Sequence, residues 1–179
     1  MKDNCLLCLD CATQIFGWAI IRKSDYSLID FGQIECDDKD TIFRINYMVD
    51  EVEKIVNKYS NYIDEAVVED VPPSIQNALT VLQLGRINGA ILYLLHKNNI
   101  EAHLLKVSTW HSKLGFKGKK PQLKEQSIKW ANEKYGLDLK YVAPNSKFNE
   151  DNKSDPICFG CVWLGNYDDK KGFNKGGRR

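Results

Sequence analysis

Cys5-Leu6-Leu7-Cys8-Leu9-Asp10-Cys11-Ala12-Thr13-Gln14-Ile15-Phe16-Gly17-Trp18-Ala19-Ile20-Ile21 is the stretch on which the fold turns. Two short, nearly continuous apolar runs are joined by a polar link, the pattern of two buried strands in a hairpin. The first run stops at Asp10. An ionised carboxylate in that position is costly unless a partner or a metal ion offsets its desolvation.

Outward from the hairpin, Leu28 to Ile34 alternates loosely and predicts a third antiparallel strand. Between Thr41 and Tyr59, Ile42, Ile45, Met48, Val49, Val52, Ile55 and Val56 recur at three and four, which predicts an amphipathic helix. Glu65-Ala66-Val67-Val68-Glu69-Asp70 is a short buried strand ending in two acids, and Pro72-Pro73 stops it. A mostly apolar helix follows over 75–97, with Gly85 and Gly89 four apart as a surface for close helix packing. Then come a strand (100–107), a short helix or turn opening at Ser108-Thr109-Trp110, a flexible cationic loop from Phe116 to Pro121 and a helix over 123–135. A loop from Val142 to Asn149 precedes a final apolar helix over 154–164. The expectation is one α/β domain over 1–165, a mixed central sheet with helices on both faces, and a basic tail over 166–179, read as disordered for want of core residues.

Composition narrows the class. At 43% hydrophobic and 27% charged, the 179 residues exclude collagenous, mucin-like and wholly disordered chains. No uninterrupted apolar run reaches the roughly 18 residues of a membrane span, and the N-terminus turns polar too early for a signal peptide. A cytoplasmic protein is therefore expected, with its six cysteines as thiols. Cys5-x-x-Cys8 and Cys158-x-x-Cys161 formally resemble a zinc pattern, but positions three apart on a strand face opposite sides, so zinc is disfavoured. Charge is polarised: residues 1–102 hold 9 Lys and Arg against 16 Asp and Glu, whereas 103–179 hold 16 against 8. That asymmetry suits an enzyme gripping metal ions in one place and a polyanion in another, and equally two solvated faces of opposite sign.

Asp10 and Glu69 each end an apolar strand, and two such ends meet if the strands are parallel neighbours. At the start of the last helix, Asp155 lies one turn from both Asn152 and Asp151. Clustered carboxylates offer the hard oxygen ligands that Mg²⁺ requires. Singly, helix capping and turn formation explain each of them as well.

Together these elements resemble RuvC-type Holliday junction resolvases, with phage-encoded members suggested by Val107-Ser108-Thr109-Trp110. Leu7 to Thr13 with Phe16-Gly17-Trp18-Ala19-Ile20 resembles the family's opening hairpin, and Ala66-Val67-Val68-Glu69 its second acidic strand. Asn77-Ala78-Leu79, Leu84-Gly85-Arg86 and Gly89 resemble the following helix, and Asp151 to Cys158 the terminal Asp-x-x-Asp helix. The likeness spans about residues 5 to 165. It implies a ribonuclease H-like fold, a homodimer, and two Mg²⁺ ions, with Mn²⁺ substituting, that hydrolyse branched DNA such as four-way junctions to 5′-phosphate and 3′-hydroxyl ends. It implies no small-molecule cofactor and no membrane.

Asp10, Glu69 and Asp155 stand at the family's acid positions, while the residue three before Asp155 is Asn152 rather than Asp. Asparagine keeps a neutral oxygen but removes a charge, which Asp151 can supply. The register favours Asn152 as the aligned position, and a non-catalytic junction binder is the alternative reading. So is a related nuclease acting on RNA or hybrids. Of the lysines between 117 and 134, Lys119, Lys120 and Lys124 are the expected phosphate contacts. Phe116 is read as a base-stacking candidate or a core residue, and Pro73 and Ile75 as a wedge in the junction centre or ordinary helix initiation.

Overall fold

A computed structural model describes residues 4–71 and 77–167. The expected wedge residues Pro73 and Ile75 lie outside the described residues, as does the tail from 168 onward. Ten elements follow in order: β1 (Cys5–Asp10), β2 (Ile15–Arg22), β3 (Leu28–Glu35), α1 (Thr41–Lys58), β4 (Ile63–Glu69), α2 (Ala78–Lys97), β5 (Glu101–Leu105), α3 (Val107–Leu114), α4 (Lys120–Tyr135) and α5 (Asp151–Trp163).

The strands form one sheet in the order β3-β2-β1-β4-β5. β1 pairs antiparallel with β2, and β2 with β3, while β1 and β4 run parallel, as do β4 and β5. Leu9 stands opposite Val68 across the parallel pair, so Asp10 and Glu69 leave the sheet side by side at one end. The neighbouring parallel strands that the two acids require are therefore present.

Alternation along β1 builds two cores. Cys5, Leu7 and Leu9 face α1 and α2, meeting Met48, Val52, Ile87, Ile91 and Leu95. Leu6 and Cys8 face the other way, toward Trp110, Ile128, Ala131, Ile157 and Phe159 from α3, α4 and α5. Helices thus cover both faces, and Cys5 and Cys8 lie on opposite sides of the sheet. All six cysteines are free thiols.

Two glycines seat α5 on the sheet. A Cβ on Gly17 would come within 1.8 Å of the Asn152 carbonyl oxygen, and one on Gly160 within 2.3 Å of Cys8 Sγ. Gly17 is paired with Asp10 across the hairpin, so this close approach brings the first turn of α5 to the end of β1. At its other end α5 is tied to β4 by the Trp163 indole N–H, which donates to Glu65 at 2.7 Å.

Three boundaries shift from the sequence expectation. Helix α4 starts at Lys120, inside the expected loop, because Pro121 at its first turn is preset for helical φ. The strand expected to end at Val107 stops at Leu105, and α3 begins at Val107. The last helix begins at Asp151 rather than Ser154. Helix α2 is long and apolar enough to cross a membrane by length and composition, yet one face packs on the sheet through Ile87, Ile91, Leu94 and Leu95.

Candidate active site

Asp10, Glu69, Asp151, Asn152 and Asp155 all line one cleft of about 880 Å³ at the carboxyl end of the parallel strands. Lys106, His111, Lys120 and Lys124 line it as well. The cleft therefore has an acidic floor beside a cationic wall.

Three of the acids are held by side chains from outside the cluster. The Trp110 indole N–H donates to Glu69 Oε1 at 2.9 Å, and the Asn88 amide donates to the Glu69 carbonyl at 3.1 Å. The Ser127 hydroxyl donates to Asp155 and lies 2.8 Å from Ser154 Oγ. Asp151, 4% exposed, is paired through Oδ2 with Lys124 Nζ at 2.6 Å, while its buried Oδ1 has no hydrogen-bond partner.

Crowding of carboxyls on a poorly hydrated floor opposes ionisation. Desolvation first, and then the Asp151 charge, raise Asp10 to about 6, against a Glu69 hydrogen bond and the charges of Lys124 and Lys120. Glu69 is pushed well above the usual range by desolvation and by Asp10 and Asp155, with Trp110 opposing. Asp155 is raised by desolvation and the Asp10 charge, and Ser127 and Lys124 pull it down. Cys11, beside the acids and 7% exposed, is raised by burial and by Asp10 and Glu69, so its thiol stays protonated.

A divalent cation fits this donor set. The orphaned Asp151 oxygen is a buried acceptor with nothing to accept from, and a cation would reverse the mutual repulsion that holds protons on its neighbours. Among the described residues the side chains as they stand do not close into a ready three-ligand cage. Glu69, Asp151 and Asp155 are instead engaged by Trp110, Lys124 and Ser127.

Of the two candidates at the start of α5, Asp151 is the one whose charge acts on both Asp10 and Asp155. Asn152 lines the cleft too, with its main-chain oxygen against Gly17. Lys119 and Lys120 are exposed at the start of α4, Lys120 on the cleft. Phe116 is half-buried, edge-on to Trp110 with ring centroids 5.9 Å apart, and packs against the core between the sheet and α3, α4 and α5. Trp110, Ser127 and Asn88 were missed by sequence reading because they reach the acids only through tertiary packing. The one signal was Trp110, singled out as part of a motif without a role.

The family model of crossover junction endodeoxyribonuclease RuvC matches residues 6–121, a span that holds Asp10, Glu69 and Trp110 and stops short of α5. Among solved structures, Thermus thermophilus RuvC in complex with a Holliday junction substrate aligns with a TM-score of 0.67 at 12% identity, over 91% of this chain and 97% of that one. A second Thermus thermophilus RuvC structure aligns with a TM-score of 0.63 at 12% identity, over 90% and 97%. No curated protein sequence matches. At such identity the structural likeness speaks for the ribonuclease H-like fold, and it extends through the helix that the family match does not reach. With well over half of its length matched, the chain belongs to the RuvC family of crossover junction endodeoxyribonucleases.

Proposed function

We propose that this protein cleaves phosphodiester bonds in Holliday junctions or other branched DNA, using divalent ions held by Asp10, Glu69, Asp151 and Asp155. The observation that carries this reading is the convergence of four carboxyls on one cleft floor beside a wall of lysines. Two Mg²⁺ ions, when bound, would activate the attacking water and stabilise the leaving oxygen, giving 5′-phosphate and 3′-hydroxyl ends. Trp110 and Ser127 orient Glu69 and Asp155, and the Asn88 amide fixes the end of β4. Lys119 and Lys120 would neutralise phosphates without reading bases, which suits selection by shape. Asn152 contributes at most a neutral oxygen, and Asp151 supplies the missing charge.

Action on a four-armed substrate calls for two such sites, and a homodimer provides them. Support comes from the exposed face of α2, where Leu79, Leu82, Gly85, Gly89 and Tyr93 are open to solvent. Exposed Ile42, Phe43 and Tyr47 of α1 adjoin it, with Thr41 Oγ1 3.5 Å from Gln83 Nε2 of α2. A second copy is the occupant this patch fits, since bare glycines let backbones approach closely.

The test is incubation of a labelled synthetic four-way junction with Mg²⁺ or Mn²⁺, with linear duplex and RNA–DNA hybrid as competitors. Symmetric cuts in the junction alone are expected. Binding without cuts would favour the non-catalytic binder suggested by Asn152, and preferential cutting of the hybrid would move the protein to another ribonuclease H-like activity.

A further inference from the structure

Lys124 stands apart from the other lysines of the basic segment. Lys119 and Lys120 are exposed, whereas the Lys124 side chain is 25% exposed and its ammonium lies 2.6 Å from an Asp151 carboxylate that is 6% exposed. The second oxygen of that carboxylate has no partner. Lys124 also lines the same cleft as Asp10 and Asp155, whose ionisation its charge favours. The lysine sequence reading assigns to phosphate is thus engaged at the acidic floor.

We propose that Lys124 is a built-in counter-ion of the acidic cluster, holding the place of a cation beside Asp151 until a divalent ion displaces it and frees it for a DNA phosphate. The inference rests on the metal-dependent reading above. One ammonium neutralises one carboxylate and leaves the cluster otherwise acidic, so a divalent ion is still attracted. The ion and the ammonium are like charges competing for the same ligand, so each weakens the other's hold. A lysine released at the cleft wall then adds one positive charge where the backbone of bound DNA would run. In this arrangement the free protein avoids leaving a buried carboxylate unpaired, and loading of the ion readies a phosphate contact.

The experiment is a calorimetric titration of the DNA-free protein with Mn²⁺, comparing wild type, Lys124→Met and Lys124→Arg. Without the competing charge, Lys124→Met should bind Mn²⁺ about tenfold more tightly, the scale of one nearby unit charge in a partly buried site. Lys124→Arg should stay near wild type. Equal or weaker binding by a folded Lys124→Met overturns the proposal. Wild-type protein provides an independent measurement should that variant fail to fold: the Lys124 ammonium resonance, protected from exchange in metal-free protein, should lose protection on saturation with Mg²⁺. An ammonium that stays protected overturns the proposal too. Failure of wild type and Lys124→Met alike to bind any Mn²⁺ would instead sink the metal-nuclease reading itself, and this inference with it.

Discussion

At the scale of single residues, Asp10, Glu69 and Asp155 sit where burial and one another's charges oppose ionisation. Asp10, with a folded-state pKa of about 6 against an ordinary 3.8, binds protons more tightly folded than unfolded. Its contribution to stability is therefore fully present below about pH 4 and is lost as the pH rises through about 6. Metal-free protein should melt at a lower temperature at pH 7 than at pH 5 by this contribution, and saturating Mg²⁺ should remove the difference. Asp10→Asn should flatten that dependence, raise metal-free stability at pH 7 by on the order of 1–2 kcal/mol, and abolish junction cleavage with binding kept or tightened. Melting curves at the two pH values, with gel-shift and cleavage assays, check all three. A drop in both stability and binding would make Asp10 a structural residue. The second residue-scale prediction separates the two candidates of α5. Asp151→Asn should cut activity by about a hundredfold or more, as loss of a charged ligand does, while Asn152→Asp should change it by less than about threefold. A large gain from Asn152→Asp would return the ligand role to the position that sequence register favoured.

At the scale of elements, the site depends on where α5 lies, and that depends on Gly17. A methyl group there collides with the Asn152 carbonyl, so Gly17→Ala should cost about 1–3 kcal/mol and weaken Mn²⁺ binding by shifting Asp151 and Asp155 away from Asp10. Urea unfolding and metal titration would show both effects together; lost stability with unchanged Mn²⁺ affinity would show that the helix can move without disturbing the ligands. The elements themselves were legible because their apolar patterns are clean: three-and-four in α1, continuous apolar runs in β1 and in the Ala66-Val67-Val68 centre of β4. Asp10, Glu69 and Asp155 were legible as acids ending or starting such elements, where burial makes a charge conspicuous. The need for glycine at 17 was not, since it arises from a helix 135 residues later in the chain. Nor was the pairing of Lys124, which reads in the sequence as a phosphate contact until packing turns it toward Asp151.

At the scale of the whole molecule, the sheet divides two exposed faces of different character. The open face of α1 and α2 lies across the sheet from α4 and α5. If the proposed dimer forms through this face, replacing Leu82 with Glu should place like charges at its centre and give monomers, measurable by sedimentation equilibrium, with Mn²⁺ binding unchanged. A wild-type protein that sediments as a monomer at micromolar concentration would leave that face without its proposed occupant. On the opposite side, Lys119→Ala with Lys120→Ala should reduce the salt dependence of junction binding by about 0.9 log units per lost phosphate contact. An unchanged slope would put the DNA elsewhere.

The acids of the site come from well-separated parts of the chain: Asp10 from β1, Glu69 from β4, and Asp151 and Asp155 from α5, the last described helix. During synthesis the hairpin and the parallel pair can form while α5 is still unmade, and at that stage Asp10 and Glu69 stand without their ligand partners. On the proposed reading, a chain that stops short of α5 lacks two of the four carboxyls and should not cut, so cutting would begin only when α5 docks against Gly17. Order of synthesis would then set when the site is complete.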